Sequence, residues 1–232
     1  MTVANYKSEQ EHQAFRNKVL LAAARLFLEK GYSGAGTRDI AKAAGVNVST
    51  MNKNFGSKEN ILSDLVSYVL TGQFKAAQGF LAGKTDDPIL YYAAETTLQL
   101  YIAESNEAIR ELYSVAYSLP HTSELIRKAV TEKLVSKIFC AVLPDLSIED
   151  YYLREVASSG IIRGYMMLPC SESFPIDKKV QAFLGNALRI YDVPKDKIAE
   201  AIEFVKQFDY PIIAKQTIDS MFVQLEGSVS EP

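Results

Sequence analysis

Apolar residues recur at three- and four-residue spacing through almost the whole chain, and strand-like alternation is hardly seen, so the pattern predicts helices. Phe15, Val19, Ala22, Ala23, Leu26 and Phe27 mark a long amphipathic helix that ends at Gly31-Tyr32. A short helix follows over residues 37–44, where Ile40, Ala41 and Ala44 share a face; Thr37, after Gly34 and Gly36, is expected to cap its start. Gly45 comes next, where a tight helix ending needs a positive φ that only a residue without Cβ accepts cheaply. Val46 and Val48 then seat a second short helix over 48–55. Ser57 with Lys58, Glu59 and Asn60 opens a connecting helix over 58–81, with Ile61, Leu62, Leu65, Val66 and Val69 in period.

Beyond a turn-rich link from Gly83 to Pro88, helical patterns cover 88–104, 106–118, 122–142, 147–168, 176–191 and 195–224. Pro120, Pro144, Pro169, Pro175 and Pro194 fall in or beside the gaps, as residues that block helix continuation should. Glu149-Asp150 sits at a helix start, where acidic residues favour the dipole. The expected fold class is all-α: an N-terminal tail and three-helix head over 1–57, then a helical body over 58–232.

Two short helices separated by a three-residue break centred on glycine have the layout of a helix-turn-helix, and the first hypothesis is DNA binding. The second helix shows water a hydrogen-bonding face of Ser49, Thr50, Asn52, Lys53 and Asn54, beginning at Val48. Such a face suits base edges and phosphates in the major groove, which admits one α-helix. Glycine-joined helices also occur in many bundles, so the flanking helices carry part of the argument.

Charge divides the chain in the same place. Residues 1–60 hold nine Lys+Arg and five Asp+Glu, a net of +4; the remaining sixteen against twenty-three give −7, within a chain of net charge −3. Phosphate neutralisation drives non-specific DNA affinity, so a basic head is the part expected to meet it. The 232 residues suffice for a sizeable core. No run approaches the roughly 18 to 20 apolar residues of a membrane span, and the polar start MTVANYKSEQEHQ, expected to fray, lacks an apolar signal core. A cytoplasmic protein with no membrane partner is expected. Cys140 and Cys170 are widely spaced in apolar surroundings and are expected as buried thiols. His12 and His121 are far from either, so no metal site is visible. With no P-loop, no G-x-G-x-x-G and no His/Cys grouping, neither an enzyme nor a cofactor is expected.

The stretch FRNKVLLAAARLFLEKGYSGAGTRDIAKAAGVNVSTMNKNFGSKENIL, about residues 14–65, resembles the DNA-binding region of TetR-family transcriptional regulators. The resemblance rests on the first-helix pattern ending in Phe27, Gly31 and Tyr32, the block from Thr37 to Gly45, and the run Phe55, Ser57, Lys58, Glu59. It implies that Thr37 and Lys58 sit at helix N-termini facing phosphate, where exposed N–H groups favour an anion. With Arg38 and Lys42 of the first short helix, these complete the expected DNA-facing set. The family usually has glycine at the place of Ser49, and at the place of Asn52 a tyrosine that commonly contacts the DNA backbone. Asn52 is shorter, but its amide can reach phosphate or an adenine edge.

The resemblance further implies a ligand-binding and dimerising body, a homodimer on a palindromic operator, and a small-molecule effector that releases DNA; repression is the family default. The rival reading is a helical adaptor of the same fold without operator binding. Pocket candidates are Tyr91, Tyr101, Tyr113, Tyr117, Phe139, Met166 and Met167, with Tyr92 beside them, although aromatic residues at helical spacing also fill any bundle core. The scarcity of acidic residues among them leans toward an apolar or aromatic small molecule. In SIEDYYLREVASSGIIRGYMML, the small residues Ala157, Gly160 and Gly164, with Ser158, allow a partner helix to approach closely, and the resemblance pairs this helix with one from 176–224 across a two-fold axis. Packing within one subunit would account for the same glycines.

Overall fold

The computed structural model describes residues 3–133, 139 and 143–230, which form eleven helices and no strand. The head consists of α1 (Val3–Gly34), α2 (Thr37–Ala43) and α3 (Val48–Phe55). The connecting helix α4 (Lys58–Leu81) leads into a body of α5 (Pro88–Glu104), α6 (Glu107–Ala116), α7 (Pro120–Lys133), α8 (Ile148–Met167), α9 (Ile176–Ile190), α10 (Lys195–Val205) and α11 (Tyr210–Ser230).

The head folds as its apolar spacing dictates. Val19, Ala23 and Phe27 of α1, Ile40 and Ala41 of α2, Met51 of α3 and Leu62 of α4 are fully buried in one cluster. α1 already begins at Val3, inside the stretch expected to fray, and leaves helical geometry at Gly31, where φ is 71°. The positive φ favours glycine there, while the Glu111 carboxylate, 2.7 Å from a would-be Cβ, is the end of a flexible side chain that can move aside. Thr37 is not the cap of α2: the extended Gly36 takes that place without a side-chain bond, and Thr37 is already in the first helical turn. Asn47 caps α3, its Oδ1 accepting from the Ser49 N–H at 2.8 Å. Ser57 caps α4 by accepting from the Asn60 N–H at 3.1 Å.

α5 lies at the centre of the body. Its Leu98 and Leu100 are fully buried, and α4, α6, α8, α9, α10 and α11 all pack against it. Ser147 and Asp150 form a reciprocal capping box at the start of α8, which fixes its acidic first turn. The single helix expected over 195–224 is two. Pro211 cannot donate to a continuing turn, and Asp209 Oδ1 accepts from the Ile212 N–H at 3.2 Å to start α11 afresh. The expected 122–142 helix begins earlier, at Pro120; its part beyond Lys133 and Cys140 lie outside the described residues. Cys170 is half-buried instead of enclosed. Among the described residues no helix is long and apolar enough to cross a membrane.

Gly45 has a φ of 65° with nothing within 4 Å of a would-be Cβ. Gly45→Ala should therefore cost only left-handed backbone strain, about 1–2 kcal/mol. Denaturant titration should show a lower midpoint with an unchanged slope.

Candidate functional site

The outer face of α3 is made by the exposed residues Ser49, Thr50, Asn52 and Lys53, while Met51 and Phe55 hold the opposite face in the head core. The Asn52 side chain makes no hydrogen bond among the described residues, so its amide is free to turn outward. Arg38 and Lys42 are exposed on neighbouring α2, and Thr37 is half-buried at its start. None of Arg38, Lys42 and Lys53 has an ion pair among the described residues, whereas Arg16 is paired with Asp64 and Arg25 with Glu226. Positive charge is thus left uncommitted on the α2–α3 side.

Other expected contacts are already engaged within the chain. Lys58 stands at the first turn of α4, but its Nζ donates to the Tyr32 carbonyl at 2.8 Å and lies 4.2 Å from the Tyr32 ring centroid. Burial lowers its pKa. The contact lets the ammonium escape an unfavourable helix N-terminus. Asn54 donates to the Thr50 carbonyl at 2.8 Å and its Oδ1 meets His12 Nε2 at 3.0 Å, so it braces α3 against α1. The Ser49 hydroxyl donates to Asn47 Oδ1 at 2.7 Å. Val48 is half-buried and serves as an anchor. Asn47 escaped the sequence reading, though an Asn directly before the first periodic apolar residue is the expected signal for a cap.

In the body, the structure brings together Tyr113 and Tyr117 and separates the rest. Both line a cavity of about 40 Å³, in which Gln99 Nε2 donates to Tyr117 Oη at 2.8 Å. Tyr113 accepts from Gln73. Phe139 and Met166 are fully buried, with Phe139 stacked on Tyr191 at 4.5 Å between centroids. Met167 does not belong to a pocket: one position on from Met166, it has rotated to the surface and is 55% exposed. Tyr101 stacks on Tyr210 at 5.1 Å and borders two outer grooves of about 550 and 340 Å³. Tyr91 reaches the Phe74 carbonyl at 3.3 Å and lines none of these spaces.

The sequence reading missed two carboxyls at the heart of the tyrosine cluster. Glu95 of α5 and Glu155 of α8 are buried around a cavity of about 30 Å³ shared with Tyr92, Tyr117 and Ser158. Tyr191 Oη donates to Glu155 Oε2 at 3.1 Å; Glu95 has no hydrogen bond among the described residues. Burial raises Glu95 to about 7, with Lys133 opposing the shift. Burial raises Glu155 to about 8; the Tyr191 hydrogen bond lowers it and the Glu95 charge raises it further. Glu95 had a visible signal, being the one acid inside the otherwise apolar and neutral-polar PILYYAAETTLQLYIA run. Glu155 had none, because it follows Arg154 in a helix with charges on several sides.

The glycines of α8 face outward. Ala157, Gly160 and Gly164 are exposed, and a Cβ at either glycine would meet nothing within 4 Å. Close packing inside the subunit therefore does not explain them. Leu153, Val156 and Met167 are 59%, 44% and 55% exposed on the same helix, and they extend this surface into an apolar stripe.

A carboxyl whose folded pKa exceeds its unfolded value favours the folded state below the unfolded pKa and loses that benefit as pH rises through the folded value. For Glu95 and Glu155 the window runs from 4.5 to about 8. Thermal unfolding should show a falling midpoint across it. Glu95→Gln or Glu155→Gln should flatten the fall and raise the midpoint at its alkaline end; an unchanged profile would remove these groups as its cause.

Residues 19–65 match the family model described as bacterial regulatory proteins, tetR family. The chain is 23% identical over 142 residues to the HTH-type transcriptional activator FasR of Mycolicibacterium smegmatis, covering 61% of this chain and 65% of that protein. It is 36% identical over 63 residues to the probable HTH-type transcriptional regulator YttP of Bacillus subtilis, covering 27% and 30%. With the HTH-type transcriptional repressor KstR2 of Rhodococcus jostii it shares 30% identity over 99 residues, covering 43% and 45%. The matches thus span less than two thirds of each of these relatives. The crystal structure of RolR in complex with resorcinol has the same overall fold at a TM-score of 0.63 and 17% identity, over 85% of this chain and 95% of that one. The head over residues 19–65 thus matches the tetR family of bacterial regulatory proteins, and the all-helical chain shares the fold of RolR.

Proposed function

We propose that this protein is a transcriptional repressor that binds a palindromic operator as a homodimer and is released by a small molecule held in its body. The observation that carries the reading is the α2–α3 surface: Ser49, Thr50, Asn52 and Lys53 point outward beside Arg38 and Lys42, with three basic side chains free of ion pairs among the described residues. Such a surface can pair phosphates with its charges and read base edges with the Asn52 amide and the Thr50 hydroxyl. The apolar stripe on α8 supports self-association, since a two-fold axis there would cover Leu153, Val156 and Met167 and use the room above Gly160 and Gly164.

Packing provides a route from body to head. Tyr117 and Gln99 are shared by the 30 and 40 Å³ cavities, and Tyr113, Leu112, Leu65 and Val69 by the latter and an apolar one of about 80 Å³. The last lies against Ala24 and Leu28 of α1. A ligand that enlarges this row displaces α4 and α6 relative to α1 and changes the setting of the two recognition helices. Release follows if that arrangement binds DNA less tightly. Repression is the direction favoured for the unliganded protein; KstR2 is named a repressor, while FasR is named an activator.

Selection of genomic fragments by the purified protein should recover a palindrome, and failure to enrich any sequence over competitor would sink the reading. On the recovered site, Arg38→Ala, Lys42→Ala and Lys53→Ala should each reduce the slope of log affinity against log salt by about two, one phosphate per protomer. Sedimentation should give a dimer for the parent protein and a monomer for Gly160→Arg, with little change in subunit melting; a Gly160→Arg dimer would move the interface elsewhere.

A further inference from the structure

The polar end of the cavity row has chemistry that the aromatic residues alone do not convey. Glu95 is 7% and Glu155 4% exposed, and they belong to different helices packed against the same space. Glu95 has no hydrogen-bond donor among the described residues, although a buried carboxyl without one is costly. Glu95 borders the cavity together with Tyr92, Tyr117, Phe74, Phe183 and Lys133. The cations facing this pair are few. Lys133 of α7 opposes Glu95, and its Nζ lies over the Phe74 ring. Arg127, also of α7, faces Glu155 while it is paired with Glu124 at 3.0 Å.

We infer that the effector is an organic cation, an amine carried on an aromatic or apolar body, whose ammonium is received by Glu95 and Glu155. This deepens the ligand-released reading and rests on it. An ammonium supplies the donor that Glu95 lacks and offsets the cost of two neighbouring buried carboxyls. The aromatic rings of Tyr92 and Tyr117 at the cavity wall add attraction for a desolvated cation. A space of about 30 Å³ accepts the head of such a molecule, and the adjoining cavities of about 40 and 80 Å³, lined largely by Leu, Val and Ile, expand to accept its body. The larger outer grooves do not compete for this role. Their acids already have partners, with Glu104 bound by Lys179 at 2.5 Å and Asp177 by Tyr101 at 3.1 Å.

Calorimetric titration of the full chain with arylalkylamines built on phenethylamine, beside the matched alcohols and carboxylates from phenethyl alcohol and phenylacetate, tests the inference. The amines should bind and weaken operator affinity, and the neutral and anionic partners should bind more weakly by about thirtyfold or more. Glu95→Gln should reduce amine affinity by a similar factor, whereas Glu203→Gln, at the surface, should not. Glu155→Gln asks the same question should Glu95→Gln fail to fold. Equal binding of the alcohols or carboxylates, no binding of any amine, or an unchanged affinity in a folded Glu95→Gln protein would overturn the inference. Operator binding is measured in the same samples without amine: its presence with no amine response removes only the ligand class, and its absence removes the regulator reading.

Discussion

The arrangement of the whole chain depends on α4 being buried in two places at once. Its Ile61, Leu62 and Leu65 complete the head core, while Ala77 and Leu81 belong to the core of the body. A 24-residue helix is about 36 Å long and behaves as a rod on this scale. Displacing either end therefore disturbs packing at the other. α11 repeats the device in the opposite direction: Tyr210 is buried in the body, and Leu225 is buried against α1 with the Arg25–Glu226 pair beside it. The Tyr68 hydroxyl donates to the Met221 carbonyl at 2.7 Å and ties the two rods together.

Between those rods the body departs from an apolar core. Helix α5 carries Glu95, Thr96, Thr97 and Gln99 into the interior, where Glu155, Ser158 and Tyr117 from its neighbours line a cavity with Glu95, Thr96 and Gln99. Burying polar groups in this number costs stability unless each is satisfied. Most are: Tyr92 pairs with Ser158 at 3.0 Å, Gln99 with Tyr117 and Tyr191 with Glu155. Among the described residues, the buried atoms without a partner include the Gln73 Oε1 of α4, the Thr97 hydroxyl of α5 and the Thr131 hydroxyl of α7. A polar interior that is only partly satisfied has capacity to respond to a guest.

On the head, geometry divides the polar residues of α3 into two kinds. Those facing α1 or the helix start are spent on holding the helix in place, as Asn54 does with His12 and Ser49 with Asn47. Thr50, Asn52 and Lys53 remain for outside contact. Lys58 follows the same division, because its position above Tyr32 stabilises the turn that joins α1 to α2 and α4.

Periodicity, glycine and proline placement, and the head motif were sufficient to predict an all-helical chain, the three head helices and most boundaries. These features are local, governed by backbone sterics and by which face of a helix is apolar. The split at Pro211 was also local, and its signal was a proline inside the expected 195–224 helix. Other outcomes needed the tertiary structure. Adjacent Met166 and Met167 separate into core and surface because helical rotation sets them apart and neighbouring helices cover only one. Lys58 turns inward because Tyr32, 26 positions away, offers a carbonyl and a ring. The meeting of Glu95 with Glu155 depends on how α5 and α8 cross, and their raised pKa values come from the surroundings that the crossing creates. Sequence spacing determined the helices and their faces; only packing decided which faces meet, since burial and charge proximity belong to pairs of elements distant along the chain.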